Sequence, residues 1–303
     1  MGSSALSLTE QMLRRRPAVG APVAHGASDH LKRSIGTFQL TMFGVGATVG
    51  TGIFIVLQQA VPKAGPAVLV SFILAGIAAG LSAICYAEMA AAVPVSGSTY
   101  SYAYTTMGEV VAMGVAACLL LEYGVSMSAT SIGWSQYLNE LLNNVFGFRI
   151  PEALTSAPWG TEHPGIMNLP ATILIALCAL LLIRGASESA TVNTIMVIIK
   201  LAVLALFVAV AFTAFNSDHF HDFWAKGFHG ITGAAATIFF TFIGLDAVST
   251  AGDEVKNPQK TMPRAIIAAL LVVTSIYILV AFAGLGTQDA AEFGSDEQAE
   301  AGL

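Results

Sequence analysis

The sequence predicts an all-α membrane protein with about seven transmembrane helices, of which the first and the sixth are discontinuous. Its 303 residues are 55% hydrophobic and 11% charged, and the mean hydropathy is +0.72. Soluble domains carry about 25% charged residues, so this composition excludes an ordinary soluble protein. Apolar runs of transmembrane length recur along the chain, and glycine-rich segments interrupt two of them. Because backbone polar groups in hydrocarbon must be satisfied within their own segment, the runs are expected to be helices.

The chain is expected to divide into a tail, a membrane domain and a terminal loop. Residues 1–33 form a polar N-terminal tail, residues 34–287 a transmembrane transporter domain, and residues 288–303 an acidic loop. The seven predicted spans are 37–59, 66–92, 102–142, 168–184, 186–215, 231–252 and 265–287.

The distribution of basic residues predicts the orientation. With the N-terminus inside, nine Lys and Arg residues lie on the inner side, and three lie outside at Lys63, Arg149 and Lys226. This bias predicts a multi-pass protein of the cytoplasmic membrane with a cytoplasmic N-terminus and an extracytoplasmic acidic loop. The first 30 residues lack the apolar core of a signal peptide, so the first span is expected to direct insertion.

The first span contains the segment GVGATVGTGIF, Gly44 to Phe54, in which four glycines fall within nine residues. A dinucleotide-binding loop is excluded, because the spacing is G-x-G-x-x-x-G inside a membrane span and no acidic residue follows before Glu88. Two interpretations remain open. The spacing of Gly46 and Gly50 permits close helix packing, whereas four glycines also favour local unwinding of the helix.

An unwound first span would suit a zwitterionic ligand. The exposed N–H groups of the outgoing half-helix carry a positive dipole end, and the exposed carbonyls of the incoming half-helix carry a negative one. We expect a substrate carboxylate on the N–H groups around Gly50–Gly52 and the Thr51 hydroxyl, and an ammonium on carbonyls near Thr48. Such backbone groups are tolerated at this depth only where they line a cavity.

The sixth span, FFTFIGLDAVSTAG, repeats the pattern five spans later. Gly244 is expected to break the helix, and Phe240 is a candidate lid. An ionised carboxylate at mid-membrane costs at least about 2.5 kcal/mol, so Asp246 should face a cavity or a partner. It is expected either to cap a helix break or to act as a proton-accepting gate or as a counter-charge for a cationic side chain.

Paired breaks of this kind indicate inverted repeats. The first repeat of five helices is expected over about 37–215, and the start of the second over about 231–287. A complete second repeat would need further helices, so the sequence is expected to be part of a longer protein.

Two more charged residues lie within predicted spans. Lys200 lies too deep in the fifth span to reach the interface easily. It is expected either to exchange protons during transport or to donate hydrogen bonds to carbonyls exposed by the first break. Glu122 is a candidate for proton coupling, or for pairing with Lys200 or with a helix end.

Other classes of function are less consistent with the sequence. His219 and His221 lie in a surface loop without further ligands, so no metal site is expected. The spans contain no Ser/His/Asp arrangement, so we expect no enzyme, no cofactor and no nucleic-acid partner. The alternative is a seven-helix receptor or sensor, whose N-terminus would lie outside. A channel is also disfavoured, because channels gather polar residues in rings by oligomerisation, whereas the polar groups here lie on two broken helices of one chain.

Four segments together resemble a known family. They are GVGATVGTGIF, YAEMAAAVPVSGSTYSYAY, EYGVSMSATSIGWSQYL and FFTFIGLDAVSTAGDEVKNPQKTMPRAI. Over about residues 31–287 the sequence resembles the amino acid–polyamine–organocation superfamily, and within it the cationic amino acid transporter-like permeases. The resemblance implies a leucine-transporter-like fold of two inverted five-helix repeats, of which this chain would hold the first seven helices.

The resemblance also implies a function and a site. The protein would move cationic or small neutral L-amino acids by alternating access. Lys200 looks like the lysine that proton-coupled relatives carry in the place of a bound sodium ion, which implies proton coupling or exchange. Asp246 would lie near the substrate side chain or the gate. Gly50, Thr51 and Gly52 would hold the substrate carboxylate. The carbonyls of Thr48, Phe240 and Ile243 would hold the ammonium, and the Phe240 ring would close the pocket.

Overall fold

The computed structural model describes residues 12–15, 33–50, 52–159, 165–183, 190–290 and 292–293. Over these ranges the chain is helical apart from its loops and turns and one isolated β-bridge between Ile35 and Val255. The α-helices are α1 (Thr37–Thr48), α2 (Gly52–Ala64), α3 (Val68–Ala92), α4 (Ser98–Thr106), α5 (Glu109–Phe146), α6 (Leu169–Ile183), α7 (Ala190–Thr213), α8 (Gly227–Phe239) and α9 (Pro258–Thr287).

The apolar runs of the sequence form helices long enough to cross a membrane. By length and composition, five helical stretches of the described residues qualify: Gly52–Ala92, Glu109–Phe146, Asn193–Ala214, Gly227–Glu254 and Pro258–Thr287. Leu169–Leu180 is apolar but shorter. Each of the seven predicted spans has a helical counterpart, so the chain is a multi-pass, all-α membrane protein.

The predicted discontinuities of the first and sixth spans are confirmed. In the first span, α1 ends at Thr48 and α2 begins at Gly52. In the sixth, α8 ends at Phe239 and is followed by the 3-10 helices Phe240–Phe242 and Leu245–Glu254, separated by a turn. Since 3-10 runs longer than three or four residues are uncommon, the ten-residue second segment is unusually long.

The beginning of the third span differs from its prediction. Instead of one run from residue 102, α4 ends at Thr106 and α5 begins at Glu109. Gly108 between them has a φ of +100°, and a Cβ there would lie 3.3 Å from the carbonyl oxygen of Met12. A single span over 102–142 was therefore the wrong prediction, because Gly108 adopts a backbone conformation that rarely suits other residues and lets the N-terminal segment approach closely.

The hydrophobic core lies among α1, α2, α3, α8 and α9. Large side chains buried there include Leu40, Ile53, Phe72, Ile238, Met262 and Tyr277. Gly76 of α3 abuts Thr274 of α9 so closely that a Cβ would lie 2.8 Å from the threonine Cγ2. Small residues of α3 are buried at intervals of four, at Ala75, Ala79, Ala83 and Ala87. Such residues allow two membrane helices to pack closely.

The far end of the 3-10 helix Leu245–Glu254 is joined to two other segments. The backbone N–H of Ile35 donates to the Glu254 carbonyl at 3.1 Å, and the N–H of Ser96 donates to the Asp253 carboxylate at 3.0 Å. Further contacts are Ser249 Oγ to Ser98 Oγ at 2.7 Å and the close approach of Gly252 to the backbone of Val95. The second half of the sixth span is therefore fixed to the start of the first span and to the α3–α4 loop.

Candidate functional site

The two helix breaks face one cavity of about 480 Å³. The first span contributes Thr48, Val49, Gly50 and Gly52 to its walls, and the sixth contributes Phe240, Thr241, Ile243 and Gly244. The opposite wall includes Tyr123 and Ser126 of α5 and Lys200 of α7. This arrangement meets the condition under which interrupted backbone is tolerated at membrane depth, namely that it lines a cavity.

The glycines of the first span fall into two groups. A Cβ at Gly44 would lie 2.5 Å from Val248 Cγ2, and a Cβ at Gly46 would lie 2.5 Å from Val197 Cγ2. A Cβ at Gly50 would meet nothing within 4 Å, and one at Gly52 only the Thr241 Cγ2 at 4.0 Å. Gly44 and Gly46 therefore permit close helix packing, whereas Gly50 and Gly52 border open space. The packing interpretation, which paired Gly46 with Gly50, is right for Gly46 and wrong for Gly50, because no neighbouring helix among the described residues reaches Gly50.

Side chains from distant helices bind the carbonyls at the end of α1. The Lys200 ammonium donates to the Gly46 carbonyl at 2.8 Å and also to the Val49 carbonyl. The Tyr277 hydroxyl lies 2.9 Å from the Thr48 carbonyl. Lys200 thus makes the contacts expected of an ammonium that supports the first break.

The sixth-span break is a compact turn. The Ile243 N–H donates to the Phe240 carbonyl at 3.2 Å, and Gly244 follows with a φ of +98°. A Cβ at Gly244 would lie 2.7 Å from the Ala47 carbonyl oxygen, so the two breaks approach each other here. The Phe240 ring borders the cavity and is 48% exposed.

A second, smaller cavity of about 210 Å³ holds the two acidic residues of the membrane domain that were singled out by the sequence. Asp246, Glu122 and Tyr86 line it, together with apolar residues of α3 and α8. The Tyr123 hydroxyl donates to Asp246 Oδ2 at 2.6 Å. Tyr123 borders the larger cavity, and Ile243 borders both, so the two cavities are neighbours.

The structure brings most of the predicted site residues together. Thr48, Gly50, Gly52, Phe240, Ile243 and Lys200 share the larger cavity, while Asp246 and Glu122 share the smaller one. Thr51 lies outside the described residues. Among the side chains that are described, no ion pair joins Glu122 to Lys200, whose ammonium contacts backbone carbonyls instead.

Sequence reasoning missed two tyrosines. Tyr123 follows Glu122 directly and joins the two cavities through its hydrogen bond to Asp246. Tyr277 lies in the seventh span, 1% exposed, and its hydroxyl contacts the Thr48 and Thr241 carbonyls, both at 2.9 Å. A lone tyrosine in an apolar run looks like a packing residue, so nothing in the sequence distinguishes Tyr277.

Comparison with known proteins gives consistent matches. The profile of the family described as amino acid permease matches residues 35–299. A methylthioribose transporter of Bacillus subtilis is 45% identical over 258 residues, which are 85% of this chain and 56% of that protein. The branched-chain amino acid permease BcaP of the same organism is 41% identical over 283 residues, 93% of this chain and 61% of the permease.

A plant protein is similar as well. Cationic amino acid transporter 9, chloroplastic, of Arabidopsis thaliana is 34% identical over 270 residues, 86% of this chain and 47% of the plant protein. The chain therefore spans between about half and three fifths of the length of these relatives.

Proposed function

The chain belongs to the amino acid permease family, and on that basis we propose that it moves L-amino acids, cationic or small neutral, across the cytoplasmic membrane by alternating access. The observation that carries the proposal is the convergence of two helix breaks on one cavity. The receptor or sensor alternative is not favoured, because the relatives are named as transporters and permeases. No covalent chemistry, cofactor or nucleic acid enters the proposal.

The larger cavity would hold the α-amino acid group. The N–H groups at Gly50 and Gly52, with the Thr51 hydroxyl, would bind the carboxylate. The carbonyls of Thr48, Phe240 and Ile243 would bind the ammonium, since each carbonyl oxygen has two lone pairs and can accept a second donor. The partly exposed Phe240 ring would close over the ligand.

The smaller cavity would receive the substrate side chain. Asp246 and Glu122 supply negative charge for a cationic side chain, and the apolar wall from α3 and α8 suits a neutral one. The Tyr123–Asp246 hydrogen bond lies between the two cavities, so a substrate entering the smaller cavity would meet it first.

Lys200 would couple transport to protons. Its ammonium contacts the Gly46 and Val49 carbonyls, so loss of its proton would weaken a support of the first break. Glu122 is proposed as a second proton site. We further propose a cytoplasmic N-terminal tail 1–33, a membrane domain 34–287 with a first repeat over about 37–215 and the start of a second over about 231–287, and an extracytoplasmic loop 288–303.

Uptake into proteoliposomes tests the proposal. Radiolabelled arginine, alanine and leucine are supplied with and without an inward proton gradient, and methylthioribose is included because one relative is named for it. We expect saturable uptake of at least one amino acid, increased by the gradient. Methylthioribose lacks the zwitterion that the break dipoles suit, and uptake of methylthioribose alone would reject the proposed substrate class. Absence of amino acid uptake under every gradient would reject the function.

A glycine pair tests the location of the site. Gly50→Val places a branched side chain in the cavity at a position that is otherwise open, so it should abolish amino acid binding. Gly114→Val is the matched control, because a Cβ there also meets nothing within 4 Å and α5 is exposed around it. A folded Gly50→Val protein with normal affinity would exclude Gly50 from the site.

A further inference from the structure

Tyr277 contacts both helix breaks but has no role in the transport cycle proposed above. It is among the largest fully buried side chains of the described residues, and it lies in α9, opposite both breaks. Its hydroxyl is 2.9 Å from the Thr48 carbonyl at the end of α1 and 2.9 Å from the Thr241 carbonyl in the turn after α8. One side chain thus joins the two discontinuous spans at the cavity.

The two carbonyls need a donor between them. Each lies at the C-terminal end of a half-helix, where the helix dipole is negative, so their approach is unfavourable without one. A buried carbonyl left without a partner costs about 1–3 kcal/mol. The phenol hydroxyl of Tyr277 supplies the donor, and edge contacts with Phe72 (centroids 6.3 Å apart) and Phe242 (5.5 Å) hold its ring in place.

The hydroxyl has one proton and two acceptors. It donates fully to only one carbonyl at a time, and the other carbonyl then lacks its strongest partner. Thr48 and Thr241 both border the larger cavity, so a cationic donor in that cavity can bind the carbonyl that the Tyr277 hydroxyl does not. A ligand ammonium on one carbonyl would leave the hydroxyl proton to the other.

We propose that Tyr277 is the positioning residue for the substrate ammonium. Its hydroxyl keeps the Thr48 and Thr241 carbonyls at a fixed separation. When the ammonium binds one of these carbonyls, the hydroxyl donates its hydrogen bond to the other. The inference rests on the proposed amino acid substrate and adds the residue that shapes the ammonium half of the site. A purely structural role predicts a different result, since loss of packing would weaken every ligand alike.

Tyr277→Phe separates these roles, because it removes only the hydroxyl. We would measure dissociation constants of L-alanine and L-arginine, and of their deaminated analogues propanoate and 5-guanidinopentanoate, for the purified protein in lipid nanodiscs. We expect the amino acids to bind about tenfold more weakly to the variant and the deaminated acids to change less than twofold. Tyr102 is another buried tyrosine but lies outside both cavities, so Tyr102→Phe should change the binding of neither the amino acids nor the deaminated acids.

A second variant keeps the proposal testable if Tyr277→Phe does not fold. Phe72→Leu leaves the hydroxyl in place but removes one ring contact that positions it, and it touches neither cavity. We expect amino acid binding about two- to threefold weaker, again with the deaminated acids unchanged. Equal losses for both ligand classes, or no loss for either, would overturn the assignment of Tyr277. Failure of the unmodified protein to bind either amino acid would instead reject the proposed function.

Discussion

The two breaks end a helix inside the membrane domain by different means. At the first, the end of α1 is held by side chains of other helices, Lys200 and Tyr277, and Gly50 faces open space. At the second, the chain closes on itself in a 3-10 turn, and Gly244 is pressed against the backbone of Ala47. The first break therefore depends on distant donors, whereas the second closes through its own backbone and in addition accepts the Tyr277 hydroxyl at the Thr241 carbonyl.

Gly244→Ala should give the largest effect and tests the second break. The new Cβ would lie 2.7 Å from the Ala47 carbonyl oxygen, and a φ of +98° disfavours any L-residue. We expect a loss of about 2–4 kcal/mol in stability, measured by thermal unfolding in detergent. Gly233→Ala, at a helical position with nothing within 4 Å, is the control and should be neutral or stabilising by up to about 1 kcal/mol. Unchanged stability of Gly244→Ala would mean that the turn adapts.

Lys200→Met should have the next largest effect and tests the dependence of the first break on distant donors. The variant leaves the Gly46 and Val49 carbonyls without their ammonium, and we expect a loss of about 2–3 kcal/mol. If the proposed coupling holds, uptake becomes independent of pH while binding partly persists. Lys63→Met removes a lysine whose ammonium donates to the Thr237 hydroxyl, a neutral group at the surface, and should cost less. A pH dependence equal to that of the unmodified protein would contradict the coupling role.

Gly46→Ala should destabilise the protein, whereas Gly50→Ala should not. The first places a Cβ 2.5 Å from Val197 Cγ2, and we expect a loss of about 1 kcal/mol. The second meets nothing within 4 Å and reduces the freedom of the unfolded chain, so it should be neutral or stabilising by about 0.5 kcal/mol. Parallel losses in both variants would show that the first span packs as one continuous surface.

Asp246→Asn should have the smallest effect on stability. An amide oxygen can still accept from the Tyr123 hydroxyl, so we expect a change of at most about 1 kcal/mol. Uptake of arginine should fall more than uptake of alanine. Tyr123→Phe in the same background shows whether the bond survives, because the costs of the two changes should add if the introduced asparagine keeps the bond and should not add if it has lost it. Equal effects on both substrates would remove Asp246 from side-chain recognition.

The sequence was sufficient for the spans and the breaks, and insufficient for what holds the breaks. Apolar length and glycine spacing are local properties, so they predicted the interruption after Thr48 and the one at Gly244. The contact of Tyr277 with Thr48 joins residues 229 apart in the chain and leaves no local pattern. Gly46 packs against another helix and Gly50 borders open space, and this difference likewise depends on which neighbours the fold places beside each glycine.

The third span differs, because part of its interruption does have a local signal in the sequence. Polar residues mark the interruption, because Thr105, Thr106 and Glu109 lie beside Gly108 within the predicted span 102–142. The positive φ of Gly108 and the approach of Met12 and Leu13 from the distant N-terminal segment leave no such signal.

The ten-residue 3-10 helix Leu245–Glu254 has a structural consequence. Residues three apart eclipse one another in this winding, so Asp246, Ser249 and Gly252 stand in a straight row about 12 Å long. The carboxylate at the head of the row borders the smaller cavity, and the glycine at its foot rests on the backbone of Val95. The row therefore connects the α3–α4 loop at Val95 with the cavity that Asp246 borders.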